Sequence, residues 1–173
     1  MYKRRSLYSV AIFTIVYLGQ LMILDQVHLP LGGFSIFLIF TLCWSAISTP
    51  EVGALVGFFA GLFLDFVPSS NGSIGQWAFI LAATGFGIAF LRYGDDSLRS
   101  NPLSLVIFVA AAVVLAVSAY ILFNALLGID VGRISQLLRT VLGNGLWTLA
   151  IAPFVLPVAS RLHRAVFETR EFQ

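Results

Sequence analysis

The stretch "GALVGFFAGLFLDFVPSSNGSIGQWAF" (residues 53–79) sets glycines at 53, 57 and 61 and then Asp65, each four residues after the last. Residues four apart on an α-helix lie on nearly one face. A helix over 51–67 therefore carries a line without side chains that ends in a carboxylate. Thr49, Pro50 and Glu51 mark its start: a capping hydroxyl, a proline where no N–H is needed, and an acid at the positive dipole end. The cluster "PSSNG" (68–72) closes it. Ser73 and Gln76 then have the S-x-x-Q form of a capping box, which opens a further helix over 74–91.

Composition says what surrounds this pair. The chain has 173 residues, of which 59% are apolar and 10% charged, with a mean hydropathy of +0.95. Soluble domains are roughly a quarter charged, so this chain lacks the groups that a water-facing surface needs. One helical crossing takes about 20 apolar residues. The length holds about six crossings and leaves no room for a soluble domain. The expected fold is an all-α integral membrane protein, a single transmembrane domain over 1–173 built as a six-helix bundle.

The remaining helices are expected over 7–26, 34–47, 102–127 and 134–158, with a mixed-charge tail over 159–173. The basic "MYKRRS" before the first apolar run resembles a signal peptide, but the run is as long as a full crossing and no small-x-small site follows. A retained first helix is expected. Pro153 and Pro157 are expected to bend the end of the last helix. With the N-terminus inside, eight of the ten Lys and Arg residues fall on the inner segments and two, Arg133 and Arg139, on the outer side. Positive charge marks the cytoplasmic face, so both termini are expected in the cytoplasm.

Glycines let another helix approach closely, and close packing is a main source of helix association in lipid. Two GxxxG steps in tandem predict a packing seam within the bundle or against a partner. Gly75, Ala78, Ala82, Gly85 and Ala89 give the next helix a small-residue face that can meet it. Asp65 is weighed two ways. An acid at membrane depth is a functional candidate by default. Its place at a helix end beside a polar turn favours a structural role, either accepting backbone hydrogen bonds from that turn or facing Arg133 or Arg139. On that reading Asp65→Asn is expected to be mild and Gly57→Leu disruptive. Trp44 and Trp77 read as boundary or packing aromatics. Asn124 and Asn144 read as interhelical hydrogen-bond partners.

Groups that carry chemistry are scarce. His28 and His163 fall on opposite faces in this topology and cannot share a metal. "NGSIG" lacks the spacing of a nucleophile elbow, and no histidine is placed to activate its serine. Asp95 and Asp96 sit among Arg92 and Arg99 as a solvated charge cluster. Cys43 is a single thiol in an apolar run, unable to form an internal disulfide. Neither an enzyme nor a cofactor is expected.

The segment "GALVGFFAGLFLDFVPSSNGSIGQWAFILAATGFGIAFLR" (53–92) resembles the rod shape-determining protein MreD family, in a form like its actinobacterial members. The match rests on a G-x-x-x-G-L-x-x-D helix end, a proline-containing outer turn and a small-residue helix opening on "GQWA". Carried over residue by residue, Gly53, Gly57, Gly61, Asp65, Pro68, Gly75, Gln76 and Trp77 fall on the family segment. Helices one, two, five and six agree in hydropathy alone. The resemblance implies a non-catalytic scaffold of the bacterial inner membrane, needed for cell shape and lateral peptidoglycan synthesis by the elongation complex. It implies association with a bitopic MreC-like protein, and through it with MreB, RodA and a penicillin-binding transpeptidase. It also implies the general fold of the S components of energy-coupling-factor transporters.

That fold supplies the competing expectation, a substrate-binding S component. Such proteins carry an A-x-x-x-A docking motif in helix one and polar ligand residues near the outer face. Helix one, "SVAIFTIVYLGQLMI", has no such motif. Polar residues expected at the outer end reduce to Asp25, Gln26, His28, Asp65, Gln76 and Asn124. The scaffold is the preferred expectation.

Overall fold

The structure is a computed structural model that describes residues 2–24, 34–66, 73–94 and 102–167. The described residues form six α-helices and no strand. α1 is Tyr2–Gly19, extended by a π-helical turn at Gln20–Leu24; α2 is Ile36–Ile47 and α3 is Pro50–Asp65. α4 is Gln76–Gly94, α5 is Pro102–Leu126 and α6 is Ile134–Phe167.

Three helical stretches are long and apolar enough to cross a membrane: Gln76–Gly94, Leu103–Leu126 and Ile134–Val166. The apolar parts of α1 (Ser9–Met22) and α2 are shorter. At 1.5 Å per residue the 12 residues of α2 reach about 18 Å and the 16 of α3 about 24 Å. Both fall short of the roughly 30 Å hydrocarbon thickness. The helix count matches the sequence, but among the described residues three helices, rather than six, suffice on their own to span. Chain geometry explains the shortfall. Ser48 is extended (ψ 172°), Thr49 is extended, and Pro50 opens a new helix rather than continuing the old one.

α2 is the centre of the molecule. Its residues 37–46 are all buried, enclosed by α1, α3, α4, α5 and α6. A helix that is apolar all round has no polar stripe to turn outward, so its stable place is the interior. Trp44 is wholly buried and belongs to the packing class of aromatics rather than the boundary class. Phe13 of α1 meets Phe37, Phe40 and Trp44 edge-on at 6.0, 5.3 and 5.6 Å. Such offset geometry adds about 0.5–1.5 kcal/mol per pair beyond burial.

The start of α2 is held from α1. Ser35 caps the helix by accepting from the Leu38 N–H (3.1 Å). Its own hydroxyl donates to Gln20 Oε1 (2.8 Å), which also accepts the Phe37 N–H (2.8 Å). One amide oxygen thus serves two donors of a different helix. Gln20→Leu removes the acceptor of both donors. The expected loss is about 1–3 kcal/mol, read as a lower midpoint in thermal unfolding of the detergent-solubilised protein.

α6 corrects the expected end at residue 158: it continues to Phe167 through both prolines. Each proline removes one N–H and leaves the carbonyl four residues earlier unpaired. Pro153 and Pro157 lie one turn apart on the exposed side, as does Leu149, whose carbonyl is freed. The helix continues through the pair, with Ala152 and Ala159 wholly buried on either side of it.

Candidate functional site at the α3–α4 seam

α3 and α4 make the closest helix pair in the molecule, and the glycine line is the reason. Gly53, Gly57 and Gly61 are all buried against α4. A methyl group added at Gly53 would stand 2.6 Å from the Gly85 carbonyl oxygen and 3.0 Å from Ala89 Cβ. At Gly57 it would overlap the Leu81 carbonyl, and at Gly61 the backbone of Trp77 and Ala78. The contact is reciprocal, since a methyl at Gly85 would lie 2.5 Å from the Gly53 carbonyl oxygen. Backbone meets backbone along the whole seam, which only residues without side chains permit.

Asp65 ends the line as the cap of the neighbouring helix. Oδ2 accepts the N–H groups of Gly75 (3.0 Å) and Ala78 (3.1 Å), and Oδ1 accepts that of Trp77 (3.0 Å). The first N–H groups of a helix have no partner within it. The residue before α4 is Gly75, which has no side chain to offer and takes a left-handed φ of 94°. The carboxylate ten residues earlier supplies what the local sequence cannot, and its charge suits the positive end of the helix dipole. Of the two structural roles expected for Asp65, the backbone one holds. Arg133 and Arg139 are exposed and take no part.

The S-x-x-Q box is therefore not formed as expected. Ser73 contributes its carbonyl to the Gln76 N–H (3.1 Å), and the Gln76 side chain turns away to donate to the Tyr120 carbonyl of α5 (3.0 Å). The Asp65 carboxylate out-competes a serine hydroxyl because a charged acceptor makes a stronger bond to an N–H. Trp77 stacks face to face on Tyr120, with ring centres 4.3 Å apart and planes 16° from parallel. Of the eight residues singled out by sequence, Gly53, Gly57 and Gly61 line the α3–α4 seam, and Asp65, Gly75, Gln76 and Trp77 meet at its end, where α5 joins through Tyr120. The eighth, Pro68, lies outside the described residues, as do His28, Asp95 and Asp96.

Two expectations for the amides are corrected. Asn144 donates to Thr140 O of its own helix (2.9 Å) rather than across to a neighbour. The Asn124 side-chain oxygen is buried without a partner, as is Gln76 Oε1. An asparagine next to a carbonyl four residues back on its own helix satisfies itself locally, a choice open to short polar side chains.

At the opposite end of the bundle a second set of contacts ties three helices together. Arg92 of α4 donates from Nη1 to the Ala46 carbonyl of α2 (2.7 Å). Ser48 Oγ lies 3.2 Å from His163 Nε2 of α6, and the His163 ring meets Trp44 edge-on at 5.2 Å. Sequence reasoning set Arg92 in a solvated charge cluster and passed over Ser48, Gln20 and Tyr120, because each acts on a residue remote in the chain. Among the described residues no three His, Cys, Asp or Glu side chains come together. The carboxylate at the seam spends its acceptor capacity on backbone N–H groups. What the arrangement does is join helices.

No protein-family model, curated protein sequence or solved structure matches this chain.

Proposed function

We propose that the chain is a non-catalytic, multi-pass scaffold of a bacterial inner membrane. It serves the cell-elongation complex in the manner of MreD, through a bitopic MreC-like partner and, by way of it, MreB, RodA and a penicillin-binding transpeptidase. The observation that carries this reading is the junction built by residues 53–66 and 73–77. In the segment that resembles the family, Gly53, Gly57, Gly61 and Gly85 pack backbone to backbone between two helices, and Asp65 caps the second of them. The outward face of the same pair presents Leu55, Phe58, Phe59, Phe79, Phe86 and Phe90, large apolar side chains suited to lipid or to a partner's membrane helix. In this reading both termini are cytoplasmic and the Asp65 end faces outward, in keeping with the distribution of basic residues.

Affinity purification of the detergent-extracted chain tests the proposal. Recovery of an MreC-like bitopic protein is the expected result, together with altered cell width on depletion. Recovery of an ATPase pair with a coupling subunit, or a vitamin auxotrophy with normal shape, would replace the scaffold by a transporter's substrate-binding component.

A further inference from the structure

At the Asp65 end the helices part around a cavity of about 370 Å³, walled by side chains from every helix of the bundle. This is within the range of small-molecule sites, which run from roughly 300 to 1,000 Å³. None of its described lining residues carries a formal charge. An ionic ligand entering it would lose hydration without gaining a counter-charge from these walls, which is strongly unfavourable. The occupant that these walls favour is neutral.

The polar groups on the wall narrow the choice further. Gln20 stands in the π-helical turn that extends α1, a distortion often found at functional sites. Its oxygen is already occupied by Ser35 Oγ and the Phe37 N–H, so its amide nitrogen is the group it can offer. Asn144, only 9% exposed, commits its nitrogen to Thr140 O and keeps its oxygen as an acceptor. Thr140 donates its hydroxyl proton to Gln136 O (3.0 Å), which leaves Oγ1 able only to accept. A donor and two acceptors thus border a cavity whose other described lining is aliphatic and aromatic, apart from Ser35, whose hydroxyl is engaged with Gln20 and the Leu38 N–H, and the phenol groups of Tyr17 and Tyr120. Trp77 and Tyr120 stiffen that wall, since they stack on one another and the Trp77 backbone is held by Asp65.

We propose that this cavity is a binding site for a compact, uncharged ring compound bearing a carboxamide. The ligand's carbonyl would accept from Gln20 Nε2 and its N–H would donate to Asn144 Oδ1 or Thr140 Oγ1. The proposal does not rest on the scaffold reading, and its outcome is independent of which partner co-purifies.

The probe is 4-fluorobenzamide, followed by ¹⁹F NMR in equilibrium with the full, detergent-solubilised chain. Saturable binding is expected, competed by benzamide and at least about tenfold less well by the charged isosteres benzoate and benzamidinium. Asn144→Leu should weaken binding about tenfold while leaving the thermal midpoint close to wild type, because its hydrogen bond lies within its own helix. Val117→Phe should fill the cavity and abolish binding; if that variant does not fold, Asn144→Leu decides alone. Absence of saturation up to the probe's solubility limit would overturn the site. So would equal affinity for the charged isosteres, or unchanged affinity in Asn144→Leu.

Discussion

Gly57→Leu is expected to prevent the bundle from assembling. A Cβ at this position overlaps the Leu81 carbonyl oxygen and stands 2.6 Å from its carbon and 3.1 Å from Ala82 N. These are backbone atoms of a helix that is itself pinned to α2 and α5. Overpacking that side chains can absorb costs about 1–3 kcal/mol. Here no rotamer can yield, so α3 and α4 must separate and surrender the contacts at Gly53 and Gly61 as well. A loss on the order of 4 kcal/mol or more follows, against a total stability of about 5–15 kcal/mol for a typical domain. The measurement is the yield of monodisperse protein in size-exclusion chromatography, with the thermal midpoint of whatever survives. Gly87→Ala is the control of opposite sign. Nothing lies within 4 Å of a Cβ at Gly87, and removing a mid-helix glycine stabilises by about 0.5–1 kcal/mol. A leucine tolerated at position 57 would refute the seam outright.

The second large effect is at Asp65. Alanine there leaves the N–H groups of Gly75, Trp77 and Ala78 without their acceptor at a junction where residue 65 is 8% exposed. Each buried donor left unpaired costs about 1–3 kcal/mol, so the sum is about 3–5 kcal/mol where water does not reach all three. Asparagine is intermediate. Both carboxylate oxygens accept, so either orientation of an amide sets an NH₂ against a backbone N–H. A cost of about 1–2 kcal/mol follows, larger than the mild effect expected from a helix-end acid beside water. The order wild type, Asn, Ala in thermal midpoint checks this. Equal stability of all three would show that the carboxylate does something other than cap.

These two positions also show how far the sequence could be read. The four-residue spacing of Gly53, Gly57 and Gly61 was legible because helical geometry alone puts them in line. The matching small residues on the next helix, Ala78 through Ala89, were legible for the same reason. The capping bond was legible only as one of two roles, since the acceptor lies ten residues before its first donor and a serine stood nearer. α2 could not be ranked as central. Twelve apolar residues give the same pattern whether lipid or protein surrounds them. The overrun of α6 was hidden because the apolar run ends near 158, and the mixed-charge residues that follow carry no pattern that separates a helix from a loose tail. Gln20 acting on Ser35 and Phe37, and Gln76 acting on Tyr120, depend on chain pairings that no local spacing encodes.

The enclosure of α2 has a consequence for how the molecule is made. A segment of 12 residues whose positions 37–46 are buried against five other helices cannot rest alone in a bilayer in its final surroundings. It acquires them only when the helices that follow it in the chain have arrived. A nascent chain halted before α5 and α6 would leave uncovered the face of α2 that these two helices later close over. Truncation from the C-terminal side should therefore produce a species that insertion chaperones retain, long before any partner is met.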